Sequence, residues 1–241
     1  MKKRLDHLLV SLALCESRSK AQSLIEAGLV LANKKQVKKP SQLFPENTKI
    51  EILPSARFVS RGGIKLQGAL DHFSIDIKNQ TVLDVGASTG GFTDCLLQNG
   101  AHLVYCIDVG KNQLHKSLQQ HPQVIWKESF HVDELRPETF GIKFRWIVMD
   151  LSFISIKKIM HNVVRCLEND GQMLVLFKPQ FEVERKHNDR GVVKDPVIRQ
   201  NALEDMVTYL QETYNFSSIK SAPCVIKGPQ GNQESFLWIQ T

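Results

Sequence analysis

From residue 60 onward, apolar runs that suit buried strands alternate with segments of helical spacing, and this alternation constrains the fold more than any other feature. The runs include Thr81–Val85, Leu103–Ile107 and Trp146–Met149, and a segment of helical spacing follows each of them after a short loop. Strands that are apolar throughout and alternate with helices are typical of a parallel sheet covered on both faces. We therefore predict an α/β domain with a doubly wound, mainly parallel sheet, in which a long helix over 196–214 precedes two closing strands.

The chain has a net charge of +6, and all of this excess lies in its first quarter. Residues 1–57 contain eleven Lys/Arg and five Asp/Glu, whereas residues 58–241 contain twenty of each. A basic module attached to a neutral body is typical of a domain that binds a polyanion such as RNA, although a solvated, solubilising surface would have the same composition.

The basic module itself has the pattern of two short helices followed by small strands. The second helix is expected to begin after Ser17 and to end before Gly28. We predict an RNA-binding domain over 1–55, a linker over 56–60 and the α/β domain over 61–241. The predicted RNA contacts are the basic residues Arg4, Arg18, Lys20, Lys34, Lys35 and Lys38.

Other classes of protein have little support in the sequence. No apolar run approaches the ~18 residues needed to cross a bilayer. The five cysteines are scattered, without a C-x-x-C pair, and the eight histidines lack metal-ligand spacing. We expect a soluble, cytoplasmic protein without a metal site or a membrane partner, and the sequence does not set its oligomeric state.

A glycine-rich loop follows the first strand of the α/β domain and indicates a ligand site. Glycines there let the backbone approach a ligand, and the N-terminus of the next helix favours an anionic group. NAD enzymes carry a comparable loop, and a βα turn without a ligand is a further alternative. Asp84 before the loop could bind the α-amino group of a methionine-type ligand, and Asp108 after the second strand could accept hydrogen bonds from ribose hydroxyls. Together with spacing unlike that of NAD loops, these carboxylates favour S-adenosylmethionine (SAM). The predicted cofactor-binding residues in this region are Asp84, Gly86, Ala87, Ser88, Thr89, Gly90, Gly91, Phe92 and Asp108.

Four charged residues are expected to meet at the edge of the sheet where ligands bind. Asp150 and Lys178 each follow an apolar strand, and Lys65 lies in the helix before the first strand. Glu234 begins the last strand, whose start lies at the same edge if that strand is antiparallel. Each could instead be an ordinary surface ion-pair partner. Together they suit methylation of a hydroxyl group: a lysine with a lowered pKa can act as the base, while carboxylates hold the ammonium groups.

At these residues the chain resembles the TlyA family of haemolysin A-like or FtsJ-like ribosomal RNA methyltransferases. The similar segments are Val59–Leu66, Asp84–Thr93, Asp150–Ser155, Lys178–Glu182, Gly191–Val193 and Gly228–Glu234, and three N-terminal segments resemble the RNA-binding domain of ribosomal small-subunit protein four. The resemblance departs from the family pattern at His131-Val132-Asp133, near the expected adenine site, and at Asn33-Lys34-Lys35 and Asn112, where glycines are usual.

The resemblance implies a Rossmann-like SAM methyltransferase domain with an antiparallel last strand, preceded by a small α+β RNA-binding domain. It also implies that Lys65, Asp150, Lys178 and Glu234 form a catalytic tetrad with Lys178 as the base, and that Phe153 contacts the cofactor. The expected reaction is 2′-O-methylation of a cytidine in ribosomal RNA or a ribosomal subunit. The chain resembles the short type of the family, which is associated with large-subunit RNA. A non-catalytic RNA-binding or assembly factor and a membrane-lytic protein remain as alternatives.

Overall fold

The chain divides into two units, Met1–Arg61 and Gly62–Thr241. The computed structural model describes residues 2–26, 28–52, 58–228 and 230–241. Residues 56 and 57 of the predicted linker 56–60 lie outside the described residues, as does Pro229.

Two helices and two small antiparallel sheets form the N-terminal unit. In chain order its elements are β1 (Lys2–Arg4), α1 (Leu5–Ser11), α2 (Arg18–Glu26), β2 (Val30–Ala32), β3 (Lys35–Val37), β4 (Leu43–Pro45) and β5 (Ile50–Ile52). Strand β2 pairs with both β3 and β5, and β1 pairs with β4. The apolar side chains of α1, α2, β2 and β3 pack into one small core that includes Leu5, Ile25 and Val30. This arrangement confirms the predicted small α+β fold.

The turn between β2 and β3 has an unusual backbone. Asn33 and Lys34 both have positive φ values, 49° and 66°, which is the geometry of a two-residue hairpin turn whose twist matches the paired strands. Asn33 is held there because its side-chain oxygen accepts a hydrogen bond from Lys49 N at 3.2 Å. The turn therefore forms without a glycine, and Lys34 and Lys35 are both exposed on it.

Strands and helices alternate through the C-terminal unit. The elements are α3 (Arg61–Phe73), β6 (Thr81–Val85), α4 (Gly91–Gln98), β7 (Leu103–Ile107), α5 (Lys116–Gln119), β8 (Val124–Lys127), β9 (Phe144–Met149), α6 (Ile156–Arg165), β10 (Leu167–Phe177), α7 (Pro196–Tyr214), β11 (Ser218–Pro223) and β12 (Ser235–Gln240).

Seven of these strands form one sheet in the order β11-β12-β10-β9-β6-β7-β8. Strands β6 to β10 run parallel to one another, and β12 lies antiparallel between β10 and β11. The predicted Rossmann-like fold with an antiparallel last strand is thereby confirmed. The carboxyl ends of β6, β7, β9 and β10 and the start of β12 meet at one edge of the sheet.

The central strands are buried on both faces, which explains their uninterrupted apolar sequences. Val82 and Leu83 in β6, Ile147 in β9 and Leu174 in β10 are all inaccessible to solvent. By the usual value of ~25 cal/mol per Å² of apolar surface removed from water, such side chains supply most of the driving force for folding. The edge where the strands end is thus supported by a rigid core.

Two elements of this unit are locally irregular. Helix α5 has only four residues, since the segment before it bends around Glu128, whose carboxylate accepts three backbone N–H groups. Strand β10 begins at Leu167 and has an irregular register between Leu167 and Gln172.

Among the described residues, none of the helices combines the length and apolarity needed to cross a bilayer. The same part of the chain contains no group of three His, Cys, Asp or Glu side chains arranged to hold a metal ion.

Candidate active site

The glycine-rich loop connects β6 to α4 and passes directly over the end of β9. Gly86 and Gly90 have φ values of +86° and +90°, a region that L-residues rarely adopt. A side chain at Gly86 would place its Cβ 2.5 Å from the carbonyl oxygen of Asp150. The backbone N–H groups of Gly86 and Ala87 both donate to Ile107 O, at 2.9 and 3.1 Å. The loop is therefore fixed against the ends of both neighbouring strands.

Beside this loop lies a cavity of about 420 Å³. This volume falls within the usual range of small-molecule sites, roughly 300–1,000 Å³. Four of the predicted cofactor-binding residues line it, namely Gly86, Ser88, Asp108 and Phe153. The segment His131–Asp133, where adenine recognition was expected, also lines it. Gln113 and Phe130 belong to the wall as well, and nothing in their sequence context marked them in advance; Leu151, from the family-like segment Asp150–Ser155, also lines it.

Asp108 joins the loop to the end of β7. Its Oδ2 accepts a hydrogen bond from Ser88 N at 2.8 Å, and its Oδ1 accepts one from Gly110 N at 2.7 Å. Each carboxylate oxygen retains a second lone pair, so the group can still accept hydrogen bonds from a pair of ligand hydroxyls.

Asp84 lies behind the loop rather than in the cavity wall. It is inaccessible to solvent, and its Oδ2 accepts a hydrogen bond from Thr93 Oγ1 at 2.6 Å. Its Oδ1 is buried and has no hydrogen-bond partner among the described residues. Burial raises the pKa of Asp84 to about 7; the hydrogen bond from Thr93 opposes this shift and the charge of Asp150 adds to it.

The other predicted loop residues support the loop from within. Gly90 N donates to Ala87 O at 2.7 Å, and Thr89 O accepts from His115 N at 3.2 Å. Phe92 is buried and stacks on Phe236 with 5.9 Å between ring centroids. These residues and Gly91, the first residue of α4, do not line the cavity.

Phe153 has a conformation that side chains seldom adopt. Its φ is +66° and 91% of its surface is exposed, although its ring lies 5.2 Å from that of Phe181. An exposed aromatic residue in the left-handed region is costly, and such strain is found most often at functional sites. It stands at the mouth of the cavity.

The four residues predicted for catalysis form two ion pairs at the same edge of the sheet. Lys65 Nζ lies 2.6 Å from Glu234 Oε2, and Lys178 Nζ lies 2.5 Å from Asp150 Oδ1. The backbone brings the pairs together, because Phe177 and Ser235 are register partners on β10 and β12 and each directly adjoins one of the four residues. Lys65, Lys178 and Glu234 are buried, and Asp150 is partly exposed.

Two further side chains hold these ion pairs in place. Ser152 Oγ accepts a hydrogen bond from Lys178 Nζ at 2.9 Å. Glu182 accepts from Ser155 Oγ at 2.6 Å and from Ile156 N at 2.8 Å, so it ties the loop after Lys178 to the loop after Asp150. Burial raises the pKa of Glu182. Their only signal in the sequence was membership of the segments that resemble the family.

Asn232 organises the segment that carries Glu234. Its side chain accepts from Val193 N at 2.9 Å and donates to Gly191 O at 2.6 Å, and its own carbonyl accepts from Gly228 N. Two of the family-like segments, Gly191–Val193 and Gly228–Glu234, are thereby joined at a single buried amide.

The residues predicted to contact RNA fall into two groups on the N-terminal unit. Lys34, Lys35 and Lys38 are exposed on and beside the β2–β3 hairpin. Arg4 and Arg18 are instead paired with the buried carboxylate of Asp6. Lys20 donates to the carbonyl of Val59 at 3.3 Å.

Comparison with known families and proteins gives a consistent result. The FtsJ-like methyltransferase family matches residues 58–241, and the S4 domain matches residues 3–50. The chain is 38% identical to 16S/23S rRNA (cytidine-2′-O)-methyltransferase TlyA of Mycobacterium tuberculosis, over 99% of this chain and 90% of that protein. It is 34% identical to 23S rRNA (cytidine-2′-O)-methyltransferase TlyA of Campylobacter jejuni, over 95% and 96%. A solved structure of a candidate hemolysin from Streptococcus thermophilus matches with a TM-score of 0.78 and 35% identity, over 100% of this chain and 88% of that one.

Proposed function

The chain belongs to the TlyA family of FtsJ-like methyltransferases, and we propose that it transfers a methyl group from SAM to the 2′-hydroxyl of a cytidine in ribosomal RNA. One observation carries the proposal: two lysine–carboxylate pairs lie at the carboxyl edge of the sheet, and Asp150 of one pair adjoins the glycine-rich loop at Gly86. Methylation of a hydroxyl needs a base at the acceptor and a fixed position for the methyl donor, and the two features supply both.

The residues around the cavity fit SAM. Asp108 is suited to the ribose hydroxyls, the loop at Gly86 and Ser88 allows close approach of the ligand, and Phe153 stands where the ligand would enter. The unpaired Oδ1 of Asp84 supplies a buried acceptor for a cationic group or a bridging water. When bound, SAM supplies an electrophilic methyl group that the 2′-oxygen takes up, leaving S-adenosylhomocysteine.

Lys178 is the proposed base. Asp150 and Ser152 fix its amine from two sides, so its Nζ has one defined position near the loop. A lysine accepts a proton only through its neutral amine, and in that form Nζ would take the 2′-proton of the ribose as the oxygen is methylated. Asp150 then stabilises the resulting ammonium group through the existing ion pair.

Lys65 and Glu234 are proposed to orient the acceptor. Lys65 brings a second positive charge to the edge, which would stabilise negative charge developing on the 2′-oxygen. Glu234 holds Lys65 in place, since the two buried side chains form a direct ion pair.

We extend the proposal to large-subunit RNA, bound through the S4 domain and its exposed lysines, with action in the cytoplasm where ribosomes are present. The relative from Campylobacter jejuni, named for 23S rRNA alone, is matched over 96% of its length, and the relative named for both RNAs over 90%. The basic surface of the N-terminal unit supports RNA as the partner.

The decisive experiment incubates the protein and radiolabelled SAM with purified 50S subunits, 30S subunits and naked 16S and 23S rRNA. We expect 2′-O-methylcytidine in large-subunit RNA, mapped by primer extension at low nucleotide concentration. Label in a base methyl group, or no label in any of these RNAs, would contradict the proposed chemistry. Label confined to 30S subunits would contradict the proposed target only.

A further inference from the structure

A buried carboxylate lies beneath two of the arginines that were expected to contact RNA. Asp6, on α1, is inaccessible to solvent. It accepts two parallel hydrogen bonds from Arg4, from Nε to Oδ1 and from Nη2 to Oδ2, each at 3.0 Å. Arg18 Nη2, on α2, also donates to Asp6 Oδ2, at 3.4 Å. A single carboxylate therefore gathers two guanidinium groups, one at the start of α1 and one at the start of α2.

Asp6 is itself held firmly. Gln22 Nε2 donates to its Oδ2 at 2.8 Å, and His7 N donates to its Oδ1 at 3.0 Å. The hydrogen bonds from Arg4 hold the pKa of this carboxyl well below its usual range, so the group stays charged at any physiological pH. The carboxylate is thus a fixed anchor, covered by the groups that bind it.

The two arginines remain open to a partner. The side chains of Arg4 and Arg18 are 42% and 54% exposed, although each is bonded to a residue with no exposed surface. A guanidinium has five N–H donors, and Arg4 uses only two of them to bind Asp6. Planar guanidinium groups bind phosphate through paired hydrogen bonds, and holding them in advance lowers the entropy lost on binding.

We propose that Asp6 is a positioning residue for RNA recognition, which holds the Arg4 and Arg18 guanidinium groups side by side to bind a backbone phosphate of ribosomal RNA. The identity of the RNA rests on the proposed function, but the filter-binding comparison below measures RNA binding without methyl transfer.

Positioning by Asp6 and simple electrostatics predict opposite changes in RNA affinity when the charge of Asp6 is removed. Removal of the negative charge of Asp6 makes the basic unit more positive, so long-range attraction alone would strengthen binding to RNA. Loss of the anchor frees both arginines to rotate, so positioning predicts weaker binding.

The experiment compares the full-length chain with its Asp6→Asn variant, using purified bacterial 23S rRNA as the probe in filter binding over a series of KCl concentrations. We expect Asp6→Asn to bind roughly three- to tenfold more weakly, with a shallower salt dependence. Glu46→Gln is the matched control, because it removes an acidic charge from an exposed ion pair with Lys3 in the same unit. It should bind as the wild type does or slightly tighter. If Asp6→Asn binds as tightly as Glu46→Gln, the proposal is wrong.

Asp6 also links α1 to α2, so loss of folding must be distinguished from loss of positioning. Circular dichroism establishes whether Asp6→Asn is folded at the assay temperature. Should it unfold, Arg4→Lys decides the question, since it keeps the positive charge and lacks the paired hydrogen bonds. We expect weaker RNA binding for Arg4→Lys as well, seen in methyl-transfer assays as a higher KM for RNA rather than a lower kcat. Wild-type affinity would overturn the proposal.

Failure of the proposed function would look different. A wild-type protein that binds RNA and responds to these substitutions, yet transfers no methyl group, would retain the role of Asp6 and refute the catalytic proposal.

Discussion

Lys65 Nζ and Glu234 Oε2 lie 2.6 Å apart in a buried ion pair, although 169 positions separate the two residues in the chain. Both side chains are almost inaccessible, at 6% and 1% exposure. Transfer of two charges from water into such a site costs several kcal/mol per ion, and their attraction offsets this cost only while both are present.

Removal of one partner should therefore cost more than removal of both. We expect Lys65→Met and Glu234→Gln each to lower the free energy of unfolding by about 3–5 kcal/mol. The Lys65→Met/Glu234→Gln double variant should recover part of this loss and remain inactive. Urea denaturation of the four proteins measures the coupling. Strictly additive losses would mean that the two residues do not stabilise each other.

Substitution of the proposed base should remove chemistry and spare cofactor binding. We expect Lys178→Ala to lower the rate of methyl transfer roughly 10²- to 10⁴-fold, because general base catalysis contributes about that much. Calorimetric titration with SAM should give nearly wild-type affinity. Lys157→Ala, which removes an exposed lysine on α6, serves as the control and should retain its rate. A near wild-type rate for Lys178→Ala would refute the assignment.

The loop should not tolerate a side chain at its first glycine. Gly86→Ala would bring Cβ to 2.5 Å from the Asp150 carbonyl oxygen, in addition to the cost of a positive φ. The matched control is Gly141→Ala, which has a similar φ of +71° and no described atom within 4 Å of its Cβ. Both should lose stability by about 1 kcal/mol from backbone conformation alone. Only Gly86→Ala should also lose affinity for SAM, as measured by calorimetry. If the two variants bind SAM with the same affinity, the proposal that the loop contacts the cofactor is wrong.

Asp84 should give the protein an unusual dependence of stability on pH. Its pKa in the folded state, about 7, lies above the value of an exposed Asp, so the folded protein binds the proton more tightly than the unfolded chain does. This contribution to stability is fully present below about pH 4 and is lost as the pH rises through 7. We expect Asp84→Asn to remove that loss, seen in unfolding free energies between pH 5 and about 8. Asp205→Asn, which removes an exposed carboxylate on α7, is the matched control for the change of charge.

The hairpin lysines should contribute affinity without selecting a sequence. The Lys34→Ala/Lys35→Ala/Lys38→Ala variant should bind rRNA more weakly and reduce the slope of log affinity against log salt by roughly two to three, because each phosphate contact contributes about 0.7 to 0.9. Lys78→Ala/Lys116→Ala/Lys143→Ala removes the same charge from exposed positions of the C-terminal unit. If both triple variants lose the same slope, the hairpin has no special role.

The sequence predicted those parts of the fold that are set by local pattern. Helix α7 runs from Pro196 to Tyr214 as expected, because Asp195 caps it and Asn215 ends it in the left-handed conformation. Strands β1 and β4 had no such signal: Lys2–Arg4 is wholly basic, and its pairing with Leu43–Pro45 depends on the tertiary fold. The start of β10 also lacks a local signal, because the polar residues Glu168, Asn169 and Asp170 interrupt the apolar pattern expected of a buried strand.

For the site, strand ends predicted which charged residues share an edge but not how they pair. The spacing of Asp150 and Lys178 on neighbouring parallel strands placed them together, and the pairing of Lys65 with Glu234 depends on how α3 packs. Ser152 and Asp6 were missed for a related reason. A hydroxyl or a carboxylate that positions another side chain looks, in sequence, like any other polar residue near a helix or a loop.

The antiparallel position of β12 has a consequence for how the protein is made. Glu234 precedes the last strand in chain order, and that strand must insert between β10 and β11 before the carboxylate can reach Lys65. A nascent chain would thus carry its cofactor loop, Asp150 and Lys178 before it has a complete acceptor site.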